Sequence, residues 1–366
     1  MSGSLRVLMI TSEWPTPEAP WAVPFITRQV AFLQAAGVDV DVFHFRGAGN
    51  PINYARAWRR ARARINPERY DLVHAQFGQS GLLALPKRLP LVVTFRGSDL
   101  LGTVAATSGR HSASGLLLRR LSRMVAARAD AAILVSAHMK QGLSPKAPVH
   151  ILSSGVDRNL FRCMPQDEAR RLLGLPQSER LVLFVGNPKL PVKRYELAER
   201  AVEVLNRSLP ARLILCWKTP HQDIPVYMNA CNVFAFTSVQ EGSPDVIKEA
   251  LACNLPIVSV PVGDVDVRLK GIDGCELCTD DAPETIAAAL ERVLRAGRRL
   301  DAQEAIKDLD EGFLTQKLIS IYKSVLGCTK RHIARNGTND YTAQARATLS
   351  KVAATAFAGR RGPHDA

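Results

Sequence analysis

Two carboxylates, Glu241 and Glu249, flank the start of a predicted helix. Ser243 can cap this helix with its hydroxyl, Pro244 suits the first helical position, and Asp245 favours its positive end. The unpaired amides of such a helix start bind anions such as a diphosphate. Glu249 would lie roughly 7.5 Å further along the axis, which is about the distance from a diphosphate to its ribose. The spacing favours a nucleoside diphosphate site, and the plainer alternative is an acidic amphipathic helix with solvated carboxylates.

Short apolar runs rich in β-forming residues alternate with helical patterns, which is typical of parallel α/β units. Strands are predicted at 5–11, 38–45, 71–74, 91–95, 131–135 and 149–152, and again at 181–185, 212–216, 233–236, 256–260 and 275–278. At 366 residues, 46% of them hydrophobic, the chain is long enough for two cores. The pattern therefore predicts an α/β protein with two doubly wound sheets.

Five segments along the chain together resemble retaining glycosyltransferase family four. The first four are Asp-Leu-Val-His-Ala-Gln-Phe-Gly at 71–78, Thr-Phe-Arg-Gly-Ser-Asp at 94–99, the segment 151–161, and Phe-Val-Gly-Asn at 184–187 with Lys193. The fifth is the pair of glutamates followed by the segment 250–264. The resemblance covers roughly residues 5–326 and implies the GT-B fold, in which two Rossmann-like domains face each other across a cleft.

The resemblance also implies how the chain is divided. Residues 1–160 would form the acceptor-binding domain and residues 161–326 the domain that binds the sugar nucleotide, with a return helix at about 310–326. Beyond Gly327 the composition shifts towards Ala, Thr, Arg and Gly. The tail 327–366 is expected to be disordered, with a short helix around 343–357.

Site residues are carried over from the family position by position. Catalytic candidates are Glu241, Lys193, Arg96 and Asp99. Donor-binding candidates are Gly186, Asn187, Lys193, Arg194, Gly242, Ser243, Pro244, Asp245 and Glu249. His74 and Arg96 are candidates on the acceptor side. Each has a plainer interpretation, such as a solvated loop lysine at Lys193 or a structural hydrogen bond at His74.

Four places depart from the family pattern, and one of them is the amino-terminal Gly-rich turn, which reads Pro-Trp-Ala-Val-Pro-Phe at 20–25. Asn187 stands where most members carry an arginine, and Arg194, beside the phosphate-loop lysine, is expected to replace that contact. Arg96 and Gln76 stand where the family has histidines. Arg96 could hold a donor phosphate or an anionic acceptor through its planar set of donors, with Asp99 orienting it. The nucleotide side therefore follows the pattern more closely than the acceptor side.

The formal net charge of +14 at pH 7 favours anionic partners. Tyr54, Trp58, Ala61 and Ile65 share one face of a predicted helix, and the remainder carries Arg56, Arg59, Arg60, Arg62 and Arg64. The apolar stripe either packs on the first domain with the arginines solvated, or the arginines meet anionic lipid. No motif indicates a specific nucleic acid partner. Without an apolar run of ~20 residues, the protein is expected in the cytoplasm, peripheral to the inner face of the plasma membrane.

The Asp-x-Asp strings at 39–41 and 264–266 have plainer explanations than metal binding, as the polar side of a strand and a family turn. We expect no metal and no cofactor apart from the sugar nucleotide as co-substrate. The leading hypothesis is a retaining, metal-independent transferase acting on a lipid-linked or polysaccharide acceptor in cell-surface glycan or exopolysaccharide synthesis. Alternatives are a same-fold transferase with a small soluble acceptor and a non-catalytic basic binding protein.

Overall fold

The structure, a computed structural model, describes residues 4–47, 50–103, 112–141, 143 and 148–336, with side chains described up to residue 329. The expected tail from residue 337 onwards, including the short helix around 343–357, lies outside the described residues.

Two parallel sheets organise these residues. The first lobe contains β1 (Arg6–Thr11), β2 (Asp39–His44), β3 (Leu72–Gln76), β4 (Leu91–Phe95), β5 (Ala131–Leu134) and β6 (Val149–Ile151), in the order β2-β1-β3-β4-β5-β6. The second lobe contains β7 (Leu181–Val185), β8 (Arg212–Cys216), β9 (Val233–Phe236), β10 (Ile257–Ser259) and β11 (Glu276–Leu277), in the order β11-β10-β9-β7-β8. Each strand overlaps a predicted one, because buried parallel strands appear in sequence as short apolar runs.

Helices cover both faces of each sheet. In chain order they are α1 (Pro24–Ala35), α2 (Pro51–Arg64), α3 (Gly78–Gly81), α4 (Ser98–Leu101), α5 (Ala113–Ala126), α6 (Gln166–Leu173), α7 (Tyr195–Leu205), α8 (Ile224–Ala230), α9 (Asp245–Ala252), α10 (Val265–Leu269), α11 (Pro283–Ala296) and α12 (Glu311–Asn336). In the first lobe, α2 and α5 share one core with the sheet, and α1 and α12 share the other.

The return helix α12 is longer than the sequence predicts. It packs Leu314, Leu318 and Tyr322 into the core of the first lobe, and it continues through Asn336. The prediction of disorder from residue 327 is therefore wrong for 327–336. A glycine inside a helix costs only about 1 kcal/mol, and residues 328–336 include no proline that would end the helix.

The strand orders place a ligand crevice in each lobe. In each sheet the order of the strands switches at one point, where successive strands begin to be added on the opposite side of the first strand. This point lies between β1 and β3 in the first lobe and between β7 and β9 in the second. Loops leaving the carboxyl ends of such strands diverge and open a crevice, which is where open α/β sheets bind ligands. The loops after β7 and β9 contain Lys193 and Glu241, respectively.

Candidate active site

A cavity of about 450 Å³, the interlobe cleft, lies between the two lobes. The predicted site residues that line it are Arg96, Gly186, Asn187, Lys193, Glu241, Gly242, Ser243, Pro244, Asp245 and Glu249. Three others, Asp99, His74 and Arg194, are not among its lining residues. The structure thus brings most of the predicted donor site together and assigns three residues to other places.

Lys193 and Glu241 face each other in the cleft. The Lys193 ammonium lies 2.7 Å from Glu241 Oε1, and both side chains are partly buried. The aliphatic part of Lys193 crosses Gly186, whose φ of 148° is a conformation that favours glycine. A phosphate oxygen is an alternative partner for the lysine, and sugar hydroxyls are alternative donors to the glutamate. The pair can therefore serve a charged diphosphate and a neutral sugar at adjacent points.

Glu249 is held by residues from both lobes. His221 Nε2 lies 2.8 Å from Glu249 Oε1, and Arg28 Nη1, from α1 of the first lobe, lies 3.5 Å from the same oxygen. Glu249 is only 5% exposed, yet it lines the cleft. Arg28 also donates to Glu311 Oε2 at 3.0 Å and to the Gly155 carbonyl at 2.6 Å. The carboxylate predicted to bind ribose is thus fixed in orientation by a buried charge network.

Burial would lower the pKa of Arg28, but the nearby Asp245, Glu249 and Glu311 raise it above its ordinary value. Burial raises the pKa of Glu311, and Arg28 opposes this effect. Each charge in the network is therefore stabilised by its partner.

The helix α9 begins one residue later than the sequence predicts. Pro244 occupies the N-cap position with extended backbone angles, and no side chain caps the helix. The prediction that Ser243 caps it is wrong, because the Ser243 hydroxyl lies 3.2 Å from the Ser153 hydroxyl of the segment that follows β6. Ser243 therefore connects the two lobes.

Asp245, the first residue of α9, pairs with the buried Lys248 at 2.6 Å. Lys248 also donates to the Ser153 hydroxyl and the Ser154 carbonyl, each at 2.9 Å. Burial would raise the pKa of Asp245, but Lys248 and Arg28 lower it below its ordinary value. Asp245 is therefore an ionised residue of the cleft wall whose charge is balanced by Lys248.

Arg194 does not replace the family's missing arginine. Its Nε donates to the Thr237 carbonyl at 2.6 Å, and its guanidinium pairs with Asp281. Arg194 adopts a left-handed backbone conformation with φ of 51°, immediately before α7. Asn187 lines the cleft, but its Oδ1 accepts a hydrogen bond from the Lys189 amide at 3.0 Å. The prediction that Arg194 contacts a phosphate is therefore wrong, because its guanidinium binds Thr237 and Asp281 instead.

The backbones of the two lobes touch at Gly97 and Gly242. A Cβ atom added to Gly242 would lie 2.2 Å from the Arg96 carbonyl oxygen, and one added to Gly97 would lie 3.1 Å from the Gly242 nitrogen. Gly97 also has φ of 143°. Because any side chain there would collide with backbone, both glycines are required for this approach.

Asp99 shapes a turn and does not face the cleft. Its carboxylate accepts hydrogen bonds from the backbone amides of Gly78 at 2.9 Å, Arg96 at 3.0 Å and Gly97 at 2.9 Å. Burial raises the pKa of Asp99, and these hydrogen bonds oppose that rise. Asp99 contacts the backbone of Arg96 rather than its guanidinium, so the expected catalytic position is corrected to a structural one.

His74 is also structural. It is fully buried, with Nδ1 2.7 Å from the Tyr322 hydroxyl and Nε2 2.8 Å from the Thr94 hydroxyl. Burial lowers the pKa of His74 to about 3, so the imidazole is neutral at physiological pH. Its expected place on the acceptor side is corrected, because the return helix covers it.

Several lining residues were not singled out as site residues from the sequence. They are Trp21, Phe25, Trp217, Lys218 and His221, together with Arg28 behind Glu249. The Lys218 ammonium lies 4.8 Å from the ring centre of Trp217 and 5.9 Å from that of Trp21, so it meets aromatic rings of both lobes. Its position in the chain could have identified Trp217 from the sequence, because Trp217 directly follows β8, next to the carboxyl end of β7.

The helix α2 carries the predicted basic face. Ala61 and Ile65 of its apolar stripe are buried, and Trp58 Nε1 donates to the Leu85 carbonyl at 2.8 Å. Arg56, Arg59 and Arg60 are exposed. Arg62 donates to the Pro86 carbonyl at 2.5 Å, and Arg64 pairs with Asp41 at 2.5 Å. The stripe thus packs on the lobe, and three of the five arginines face solvent.

Within the described residues, no three His, Cys, Asp or Glu side chains form a group that could hold a metal ion. Asp41 pairs with Arg64 and Arg69, and Asp264 pairs with Arg268. The same part of the chain contains no helix with the length and hydropathy of a membrane span.

Comparisons with known proteins agree with this architecture. Residues 6–160 match the model of Glycosyltransferase Family 4, and residues 175–296 match that of Glycosyl transferases group 1. The Bacillus subtilis protein named for teichuronic acid biosynthesis, glycosyltransferase TuaC, is 25% identical over 356 aligned positions, covering 79% of this chain and 89% of the relative. The D-inositol 3-phosphate glycosyltransferase of Mycobacterium tuberculosis is 27% identical over 282 positions, which cover 66% of this chain and only 58% of that protein.

Solved structures share the fold. Sucrose-phosphate synthase from Thermosynechococcus elongatus superposes with a TM-score of 0.72 at 17% identity, covering 88% of this chain and 100% of that one. Anabaena HepE in complex with UDP gives a TM-score of 0.62 at 16% identity, covering 87% and 100%, respectively. The fold expected from the sequence is confirmed. The chain belongs to glycosyltransferase family four and is a glycosyltransferase with the GT-B fold.

Proposed function

We propose that the protein transfers a sugar from a nucleoside diphosphate sugar to a lipid-linked or polysaccharide acceptor in cell-surface glycan synthesis, with retention of configuration and without a metal. The observation that carries this proposal is the grouping of Lys193, Glu241 and Glu249 in one cleft at the start of α9. A cation, a carboxylate for the sugar and a second carboxylate for the ribose are the groups that such a donor requires.

Lys193 supports departure of the diphosphate. Negative charge grows on the leaving oxygen as the bond to the sugar breaks, and a cation already in place stabilises that charge more in the transition state than in the ground state. The first amides of α9 add partial positive charge at the same wall. Glu241 lies 2.7 Å from Lys193. Once a phosphate oxygen replaces Glu241 as the partner of the lysine, the Glu241 carboxylate would accept hydrogen bonds from the sugar hydroxyls.

Glu249 gives the donor its ribose contact. A carboxylate accepts hydrogen bonds from adjacent hydroxyls, as acidic residues do in dinucleotide-binding folds. His221 and Arg28 fix this carboxylate before any ligand arrives, which lowers the ordering cost of binding.

Retention is proposed to occur by attack on the face that the leaving group occupies. The bond from the sugar carbon to the phosphate oxygen breaks, the bond to the acceptor oxygen forms, and the acceptor proton passes to the leaving phosphate oxygen. The acidic residues that line the cleft within the described chain, Glu241, Asp245 and Glu249, all belong to the second lobe. This arrangement favours direct transfer over a covalent sugar intermediate on a first-lobe carboxylate.

Exposed arginines of α2 support a membrane-bound acceptor. Arg56, Arg59 and Arg60 point to solvent on the first lobe, where each basic residue near an anionic surface contributes about 1 kcal/mol. Sedimentation with vesicles containing phosphatidylglycerol should pellet the protein, and a variant with all three arginines changed to glutamine should stay in solution. Equal sedimentation of the two proteins would reject this membrane surface.

The donor assignment is tested by transfer assays with a panel of sugar nucleotides. Glu249→Ala and Lys193→Ala should each lower kcat/KM by about 10-fold to 100-fold, since each removes a charge-assisted contact of about 1.5–3 kcal/mol. Exposed residues of the same lobe provide matched controls in Glu203→Ala and Lys270→Ala, which should keep full activity. Unchanged turnover in both site variants would refute the assignment.

A further inference from the structure

Arg96 is the charged residue that the first lobe contributes to the cleft wall. Its Nε and Nη2 donate to Gln76 Oε1 at 3.1 and 2.8 Å, and its Nη1 donates to the Ser154 hydroxyl at 2.7 Å. The centre of the guanidinium lies 4.4 Å from the ring centre of Phe25. The guanidinium is therefore held rigidly, and each of these protein partners is neutral.

No aspartate or glutamate side chain forms an ion pair with Arg96 among the residues that the structure describes. The acids that act on it electrostatically include Asp245, Glu311, Asp99 and Glu13. Three of them form their bonds elsewhere, Asp245 with Lys248, Glu311 with Arg28, and Asp99 with backbone amides. Burial lowers the pKa of Arg96 below its ordinary value, in contrast to that of Arg28.

Arg96 is partly buried, and a cation withdrawn from solvent without a counter-ion is costly, so proteins usually pair or coordinate such charges. The guanidinium has five N–H donors, and its hydrogen bonds to Gln76 and Ser154 engage Nε, Nη1 and Nη2 once each. Both terminal nitrogens therefore keep a second N–H, which is the set that a carboxylate or phosphate accepts. The arrangement resembles half of an ion pair in which the ligand supplies the other half.

The position of Arg96 indicates which part of the substrates it would meet. The Arg96 carbonyl and Gly97 touch Gly242, the neighbour of Glu241. The Arg96 backbone thus lies beside Glu241, the carboxylate proposed to bind the sugar, and the Arg96 guanidinium lies against two other lining residues, Phe25 and Ser154.

We propose that Arg96 binds an anionic group, a carboxylate or a phosphate, carried by one of the two substrates. The substrate is then either a donor whose sugar is a uronic acid or an acceptor that bears a phosphate beside its reacting hydroxyl. This proposal rests on the proposed function, because it assumes that a sugar nucleotide occupies the cleft.

The donor arm of the test compares calorimetric binding of UDP-glucose with UDP-glucuronate and of GDP-mannose with GDP-mannuronate. A uronate on the donor should bind the wild-type protein about 10-fold to 100-fold more tightly than its neutral counterpart. Arg96→Met should abolish this preference, so that uronate and neutral donors bind the variant equally, and Arg96→Lys should retain part of it because the charge stays but the paired donors are lost. Arg158→Met is the matched control, since its guanidinium contacts Gln303 outside the cleft.

The acceptor arm compares glucose 1-phosphate with glucose, and glycerol 3-phosphate with glycerol, in the presence of saturating UDP or GDP. A phosphate preference that depends on Arg96 in this arm, with no preference in the first, assigns the anion to the acceptor. If wild-type protein and Arg96→Met differ in neither arm although neutral sugar nucleotides bind, the anion site is overturned and the proposed function stands. If no sugar nucleotide binds at all, both proposals fail together.

Discussion

Replacing Arg28 with methionine should destabilise the protein more than replacing a charged residue on the surface does. The reason is that Arg28 is a buried cation that contacts both lobes and the return helix. It is 8% exposed and donates to Glu311 Oε2, the Gly155 carbonyl and Glu249 Oε1. Removing one member of a buried ion pair leaves the other charge uncompensated and costs about 3–5 kcal/mol. We therefore expect a loss of that size in the free energy of unfolding.

Urea denaturation, followed by both tryptophan fluorescence and circular dichroism, measures this loss. Arg6→Met is the matched control, since the side chains of the Arg6–Asp71 pair, separated by 3.1 Å, are 38% and 32% exposed, and ion pairs near the surface contribute about 0–1 kcal/mol. Adding Glu311→Gln to Arg28→Met should recover at least about 1 kcal/mol, because the second change removes the stranded carboxylate. An Arg28→Met loss below about 1 kcal/mol, or no recovery in the double variant, would refute the reasoning.

The same variant should respond to pH. Burial raises the pKa of Glu311, and Arg28 counteracts that rise. Without Arg28 the folded protein binds a proton at Glu311 more readily than the unfolded chain does, so its stability improves as the pH falls towards the raised pKa. The deficit of Arg28→Met relative to wild type should therefore narrow on acidification, and a deficit that widens would contradict this assignment.

Three further predictions concern other parts of the molecule. Gly242→Ala should weaken binding of sugar nucleotides in calorimetry, because the added Cβ would lie 2.2 Å from the Arg96 carbonyl and push the lobes apart; unchanged affinity would show that the contact is dispensable. His74→Gln should remove part of the acid sensitivity of folding, since burial holds the folded pKa of His74 at about 3 and stability falls by up to about 1.4 kcal/mol per pH unit below 6.5; identical pH profiles would contradict this. Trp217→Phe should reduce the fluorescence change on adding UDP-glucose or GDP-mannose, because Trp217 lines the cleft; an undiminished signal would place the ligand elsewhere.

The sequence predicted the strands from local patterns, and it predicted the donor wall of the cleft from the spacing of Glu241 and Glu249 together with the family resemblance that singled out Lys193. A buried parallel strand is a short apolar run, and Lys193, Glu241 and Glu249 lie in loops and a helix that follow such strands directly in the chain. The prediction that Ser243 caps α9 was wrong because the Ser243 hydroxyl forms a hydrogen bond with Ser153 of the other lobe, a contact that local propensity does not include.

The misplaced and missed residues depend on distant contacts. His74 is covered by Tyr322, which lies 248 positions away. Arg28 meets Glu249 and Glu311 at separations of 221 and 283 positions. Arg194 is adjacent to Lys193, but its left-handed backbone directs the side chain to Thr237 and Asp281. Such positions are decided by tertiary packing, which sequence spacing does not encode.

The return helix has a consequence for how the protein is made. Leu314, Leu318 and Tyr322 complete a core whose other members, such as Val7 and Ile26, are among the earliest residues of the chain. During translation this side of the amino-terminal sheet thus has only α1 as cover until α12 has been synthesised, although the rest of that lobe is made first. A ribosome-bound fragment ending near residue 310 should expose this apolar surface and require a chaperone, and release of the full-length chain should bury it.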